Sequence, residues 1–164
     1  MYKTNDNKID DKIHVKGRVT VTLTDIHTGA ERSFSSHNIG LTYLFSAFSQ
    51  WYTGKNNTGY QALSSPTQIE YGSGTGIPAE TDTGLFTPIT GSLTNISYAT
   101  ANYSATGTTL FVFNTPAGVV TTQVTEAILR DKSGNPWLHS MFEVPFTPSS
   151  TEIITMQWES TIAN

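Results

Sequence analysis

The clearest pattern in the chain is a strict alternation of apolar or small residues with polar ones between residues 13 and 23. The apolar and small positions are Ile13, Val15, Gly17, Val19, Val21 and Leu23. This period of two is typical of a β-strand that buries one face. Turn residues follow at 27–30, and residues 31–36 resume an extended pattern, so the sequence predicts a β-hairpin.

One segment has helical periodicity instead. Beyond residues 38–40, apolar residues recur at intervals of three and four, at Leu41, Leu44, Phe45, Phe48, Trp51 and Tyr52. This spacing predicts a helix of about three turns. We interpret its aromatic stripe as core packing against a sheet, in preference to a cofactor site.

The rest of the chain consists of short extended segments separated by turn residues. They lie near residues 67–71, 93–105, 109–113, 124–130, 137–145 and 152–162. The turn at 131–135 contains Gly134, which we expect to adopt a positive φ. Together these patterns predict a mainly β fold, specifically an antiparallel, jelly-roll-like β-sandwich with one short helix.

The predicted domain organisation is an N-terminal arm followed by one domain. Residues 1–12 contain six charged residues and few apolar ones, so we expect them to be a flexible arm. Residues 13–164 are the right length for a single β-sandwich domain.

Composition and charge limit the classes of molecule that we expect the chain to bind. Charged residues make up only 13% of the chain and the net charge is −4, and no lysine or arginine cluster is available to contact a phosphate backbone, so we expect no direct nucleic-acid binding. No apolar run approaches the ~20 residues of a membrane-spanning helix, and residues 1–12 lack the apolar stretch of a secretory signal. We therefore also expect no membrane association.

The three glycines at positions 72, 74 and 76 resemble a nucleotide-binding loop only superficially. Their spacing does not satisfy G-x-G-x-x-G, no Gly-Lys-Ser/Thr follows, and Pro78 interrupts the segment where a phosphate-binding helix would begin. We interpret the run as architectural and expect its glycines to supply turns with positive φ.

The sequence shows no catalytic or metal-binding motif. There are no cysteines, which removes thiolate ligands and cysteine nucleophiles. The histidines occur at 14, 27, 37 and 139, without the spacing of a zinc site, and no G-x-S-x-G elbow is present. We therefore expect no enzyme activity, no metal and no cofactor.

Glu126 is the one acidic residue that lies in an otherwise apolar strand. We expect it to form a structural pair with Arg130 on the same face. A glycosidase would need two converging carboxylates, and the sequence leaves open a pair formed by Glu126 with Glu143 or Glu159.

Several aromatic residues suit either a core or a sugar-binding surface. Trp51 and Trp158 lie on apolar faces and are better explained as core. Tyr60 and Trp137, and with them Tyr98 and Tyr103, stay open as residues that stack on a glycan. A receptor-binding or carbohydrate-binding module is therefore the alternative function.

Short motifs also follow one another in a characteristic order. They are His-Asn-Ile-Gly at 37–40 after the hairpin, the glycine run at 71–76, Pro-Ala at 78–79, Asp-Thr-Gly-Leu at 82–85, the strand at 124–129, the Ser-Gly turn at 133–134, the segment at 137–146 and Gln-Trp-Glu at 157–159. Over residues 13–162 this order resembles that of small structural proteins of tailed bacteriophages, which occur in tail, neck, fibre-attachment and head-decoration assemblies.

The resemblance implies a non-enzymatic β-sandwich subunit of the virion, made in the cytoplasm of a bacterial host. It implies self-association and docking on other virion proteins. Within that expectation, a polar arm suits contact with an adjacent subunit, and we expect Tyr2 and Ile9 to provide its apolar contacts.

Overall fold

The computed structural model of the chain describes residues 14–52, 66–95, 102–103 and 108–163. Within these ranges the elements are β1 (His14–Asp25), β2 (Glu31–Gly40), α1 (Thr42–Tyr52), β3 (Gln68–Gly72), β4 (Thr94–Asn95), β5 (Asn102–Tyr103), β6 (Thr108–Thr115), β7 (Val124–Arg130), β8 (Pro136–Phe146) and β9 (Glu152–Ala163). The predicted mainly β class and the single short helix are confirmed.

The described strands form one antiparallel sheet in the order β4-β3-β7-β8-β2-β1-β9-β6-β5. The long β1 lies inside the sheet and pairs with β2 on one side and with β9 on the other. The sheet is nearly closed into a barrel. The predicted arrangement of two sheets packed as a sandwich is not confirmed, because hydrogen-bonded ladders connect these strands into one continuous sheet.

The core lies on the concave side of this sheet. In β1 the alternation seen in the sequence places Val15, Val19, Val21 and Leu23 inside, all nearly inaccessible to solvent. Trp158 pairs with Val19 across the β1–β9 ladder and is fully buried. Its prediction as a core residue is confirmed.

Helix α1 begins directly after β2 and packs its apolar face on the sheet. Leu41 and Leu44 are buried, and the Leu41 amide donates a hydrogen bond to the Trp137 carbonyl at 3.0 Å. Gly40 lets the helix approach, since a Cβ there would lie 2.9 Å from Val15 Cβ and 3.0 Å from the Phe45 ring.

Two predicted strand boundaries change. β2 continues to Gly40, four residues beyond the predicted end, because residues 37–40 pair with β8. In the predicted strand at 93–105, the described residues contain only the two-residue strands β4 and β5. Residues 96–101 and 104–105 lie outside the described residues.

The turn between β7 and β8 has the predicted form. Gly134 adopts a φ of 83°. The Asp131 carboxylate accepts hydrogen bonds from the amides of Ser133 at 2.8 Å and Asn135 at 3.0 Å. Such side-chain caps fix the direction in which the next strand leaves the turn.

Candidate functional site

A buried carboxylate, that of Glu126, lies on the face of β7 opposite the core and is wholly inaccessible to solvent. Its Oε1 accepts hydrogen bonds from the Gly74 amide at 3.0 Å and the Thr87 amide at 2.9 Å. Its Oε2 accepts one from the Phe86 amide at 3.1 Å and lies 3.0 Å from Nε2 of His139. Four protein groups therefore compensate the burial of this charge.

His139, in the neighbouring strand β8, connects this carboxylate to a second one. The histidine is fully buried, and its Nδ1 lies 3.2 Å from Oδ2 of Asp82. Each imidazole nitrogen therefore lies within hydrogen-bonding distance of a carboxylate oxygen, so the ring connects β7 to the segment that contains Asp82. The Phe86 ring covers the imidazole, with 5.4 Å between the two ring centres.

These contacts fasten residues 73–87 onto the outside of the sheet, and we call this segment the anchored loop. A second attachment lies at the start of α1, where the Thr42 amide and hydroxyl both donate to the Glu80 carbonyl, at 2.7 Å and 2.8 Å. Within the loop, the Ala79 amide donates to Asp82 Oδ2 at 2.9 Å. The loop is thus held at both ends and in its middle.

The glycines of the run provide space for this packing. A Cβ at Gly72 would lie 2.4 Å from Glu126 Oε1, one at Gly74 2.6 Å from the same atom, and one at Gly76 2.5 Å from the Phe86 ring. The expectation that these glycines supply positive-φ turns is wrong, because all the positive-φ glycines among the described residues lie elsewhere. The close approach of backbone to buried side chains requires them instead.

The predicted pair of Glu126 with Arg130 is also wrong. The two residues are four positions apart on one strand, a separation of roughly 13 Å, which is too long for an ion pair. Arg130 instead donates from Nε to Glu70 Oε2 at 2.9 Å and from Nη1 to the Gly134 carbonyl at 2.9 Å. The pairing of β3 with β7 brings Glu70 to this place.

The chemistry open to the Glu126–His139–Asp82 cluster is that of an anchor. Both Glu126 oxygens and both imidazole nitrogens are engaged with protein groups, so these four atoms connect the loop to the sheet. Glu143 is exposed, and the exposed Glu159 lies on β9, which β8, β2 and β1 separate from β7. The structure therefore brings neither of them into the cluster.

The described residues contain neither a metal-binding cluster nor a membrane-spanning helix. Among them, no group of three or more histidine, aspartate or glutamate side chains is arranged to hold a metal ion. The helix found there is too short to cross a membrane.

The anchored loop presents an apolar residue to solvent. Ile77, between Gly76 and Pro78, is 90% exposed, the highest value among the large apolar residues described. Phe86, at the other end of the loop, is 41% exposed while its ring packs over His139 and Gly76. The exposed Ile77 and the partly exposed Phe86 thus lie on the loop that the buried cluster holds to the sheet.

The residues singled out in the sequence occupy different places. Trp137 lies at the start of β8, half-buried against the core, with 6.3 Å between its ring centre and that of Tyr43. Tyr2, Ile9 and Tyr60 lie outside the described residues. Trp137 is therefore the only one of these four whose position is described, and it is not part of the cluster.

Sequence reasoning did not find His139 or Asp82. The available signal was Glu126 itself, a carboxylate in the middle of an apolar strand, which requires partners when buried. The identity of those partners depends on the register of β7 with β8 and on the path of the loop.

Comparisons with protein-family models, with curated proteins and with solved structures returned no match to this chain.

Proposed function

We propose that this chain is a non-enzymatic structural protein of a bacteriophage virion, which self-associates and docks in a tail, neck, fibre-attachment or capsid-surface assembly. The assignment to a virion rests on the order of sequence motifs. The observation that carries the docking role is the anchored loop, in which the Glu126–His139–Asp82 cluster fixes the segment that exposes Ile77.

Fixing the loop before binding favours association. A rigid segment loses less conformational entropy when a partner covers it than a mobile one does. A single exposed apolar residue is ordinary on a protein surface. Here the exposed residue lies on a loop held by at least six hydrogen bonds, three of which go to the buried Glu126 carboxylate. The combination of an exposed apolar residue with a fixed loop supports a docking role.

The partner that fits this surface is an apolar pocket with a basic rim on a neighbouring virion subunit. Ile77 would fill the pocket, in the manner of the buried anchor residues of protein interfaces. Glu80 is exposed on the same loop, and the chain carries a net charge of −4. A basic rim on the partner would complement the charge of Glu80 and the negative net charge of the chain.

The arm remains part of the proposal as an additional contact. Tyr2 and Ile9 would lie on an adjacent copy of the chain, while the loop contacts another virion protein. This division of roles does not require a two-sheet sandwich, since it depends only on a stable β-domain.

Virion incorporation of variants tests this function. In phage that encode the chain, Ile77→Asp is compared with Val144→Asp, which changes a residue of β8 outside the loop that is 60% exposed. Immunolabelling and mass spectrometry of purified virions measure the amount of the chain. We expect Ile77→Asp to reduce incorporation about tenfold or more, the effect of losing an interface anchor, and Val144→Asp to leave it nearly unchanged.

Two outcomes contradict the proposal. Absence of the wild-type chain from purified virions would exclude a virion role, and equal incorporation of both variants would exclude the loop as the docking element. A glycan array distinguishes the alternative function: saturable binding that is lost with Tyr60→Ala or Trp137→Ala would support a receptor-binding module.

A further inference from the structure

A row of polar side chains crosses the interior of the sheet. The pairing places Asn38 of β2 opposite Gly17 of β1, and Gly17 opposite Ser160 of β9. On the other side, Ser140 of β8 is opposite Asn38. Directly opposed residues share a face of the sheet, and Asn38, Ser140 and Ser160 are all buried.

Two members of this row have buried polar atoms that no protein group satisfies. Ser140 donates from its hydroxyl to the His37 carbonyl at 2.8 Å. In contrast, Oδ1 and Nδ2 of Asn38 and Oγ of Ser160 have no hydrogen-bond partner. Nε1 of Trp158 also has no hydrogen-bond partner. Trp158 lies two residues before Ser160 and likewise faces inward.

Such a group of unpaired atoms is costly. A buried polar atom without a partner has lost its hydrogen bonds to water and gained none in the protein, which destabilises the fold. Buried polar atoms in native proteins are accordingly satisfied by protein or by ordered water.

Gly17 allows the unpaired atoms to converge. A Cβ at this position would lie 1.8 Å from the Glu159 carbonyl oxygen and 2.4 Å from Asn38 Oδ1, so only glycine fits here, and the Asn38 amide extends over it towards β9. The backbones of β2 and β9 are roughly 10 Å apart, twice the spacing of neighbouring strands. A bridging water spans about 5 Å between two polar atoms, since each of its hydrogen bonds is about 2.8 Å long.

We propose that a buried water molecule lies between the Asn38 amide and the Ser160 hydroxyl, and that the Trp158 indole donates to this water or to a second one beside it. The chemistry selects a small neutral ligand, because the neighbouring inward positions Val15 and Val19 carry no charge. The ligand must donate to Asn38 Oδ1 and accept from Nδ2, and water does both. This site is independent of the docking function.

Nuclear magnetic resonance detects such a water directly. We expect the Asn38 side-chain amide protons and the Trp158 indole proton to show cross-relaxation with water of the sign given by long-lived bound molecules. The side-chain amide protons of exposed Gln157 serve as a control and should lack it. Absence of the signal at Asn38 would overturn the proposal.

Coupling between Asn38 and Ser160 provides the second test. Each single variant should raise the unfolding equilibrium constant. We expect the fold-increase for Asn38→Ala with Ser160→Ala to be smaller than the product of the two single increases, by about threefold or more. Ser140→Ala with Ser160→Ala is the control pair and should be multiplicative. Coupling without the water signal would indicate a direct Asn38–Ser160 bond and would contradict the proposal.

An isosteric apolar variant separates a bound water from an unsatisfied amide. If water is bound, Asn38→Leu deprives Ser160 and the water of their partner and lowers stability. If the amide is truly unsatisfied, the same change removes a buried unpaired group and raises stability. A more stable Asn38→Leu variant would therefore also overturn the proposal.

Discussion

The hydroxyls of Tyr71 and Thr115 are hydrogen-bonded to each other inside the sheet, with 2.8 Å between Tyr71 Oη and Thr115 Oγ1. Tyr71 lies on β3 and Thr115 on β6, and five strands separate β3 from β6 along the sheet. The bond therefore spans the interior and shows how far the sheet curls. Burial raises the pKa of the Tyr71 hydroxyl, so this group stays protonated.

This bond gives a prediction on stability. Tyr71→Phe removes one partner and leaves the Thr115 hydroxyl buried without a hydrogen bond, so we expect a loss of about 1–3 kcal/mol in the free energy of unfolding. The double variant with Thr115→Val should recover part of this loss. Urea denaturation measures both, and Thr155→Val, at a less buried position of β9, should change stability by less than about 0.5 kcal/mol.

The packing of the glycine run gives a second prediction. In Gly74→Ala the new Cβ would lie 2.4 Å from Phe86 Cβ and 2.6 Å from Glu126 Oε1, so we expect a loss of about 1–3 kcal/mol from overpacking. Gly84→Ala is the matched control in the same loop, because its Cβ would meet only Arg130 Nη2, at 3.4 Å. Thermal unfolding should separate the two variants, and equal melting temperatures would contradict the spatial explanation of these glycines.

Local patterns are sufficient to predict most of the elements of this fold. The alternation in β1 and the three-to-four spacing in α1 reflect burial of one face, which is visible in a single segment. The strand predicted at 124–130 coincides with β7, and the helix predicted to begin after Gly40 coincides with α1. The closure of the sheet depends on contacts between distant segments, such as Tyr71 with Thr115, and no local pattern records them.

The sequence alone predicts less of the candidate site, because its residues also come together only through contacts between distant segments. Glu126 and His139 meet because β7 and β8 pair in one register, and Asp82 reaches them because the loop folds back over both strands. The glycine run is required by the space that Glu126 and Phe86 occupy beside it. That requirement is visible only when the partners of the loop are known.

The dependence of stability on pH gives a third prediction. The Arg32 guanidinium donates two hydrogen bonds to Glu152 and lowers the pKa of that carboxyl. The Thr151 hydroxyl and nearby backbone amides lower the pKa of Asp25 in the same way. A lowered pKa in the folded state contributes stability above the unfolded-state pKa, and this contribution is lost as the pH falls through the folded-state pKa.

We therefore expect the free energy of unfolding to be level above about pH 5 and to fall steadily below about pH 4. Urea denaturation across this range measures the slope. Glu152→Gln should have a shallower slope than the wild type, because it removes one of the contributing carboxyls. A slope identical to that of the wild type would show that the Arg32–Glu152 pair does not contribute.

The central claim is that Glu126 holds the anchored loop in place, and amide hydrogen exchange in Glu126→Gln tests it most directly. Glutamine keeps the size of the side chain but replaces one acceptor oxygen with a donor, so at least one of its bonds to the loop is lost. Glu70→Gln, on the same face of the sheet, is the control. We expect the amides of Gly74, Phe86 and Thr87 to exchange about tenfold faster or more in Glu126→Gln and at the wild-type rate in Glu70→Gln. Unchanged exchange at these three amides in Glu126→Gln would contradict the anchoring role of the cluster.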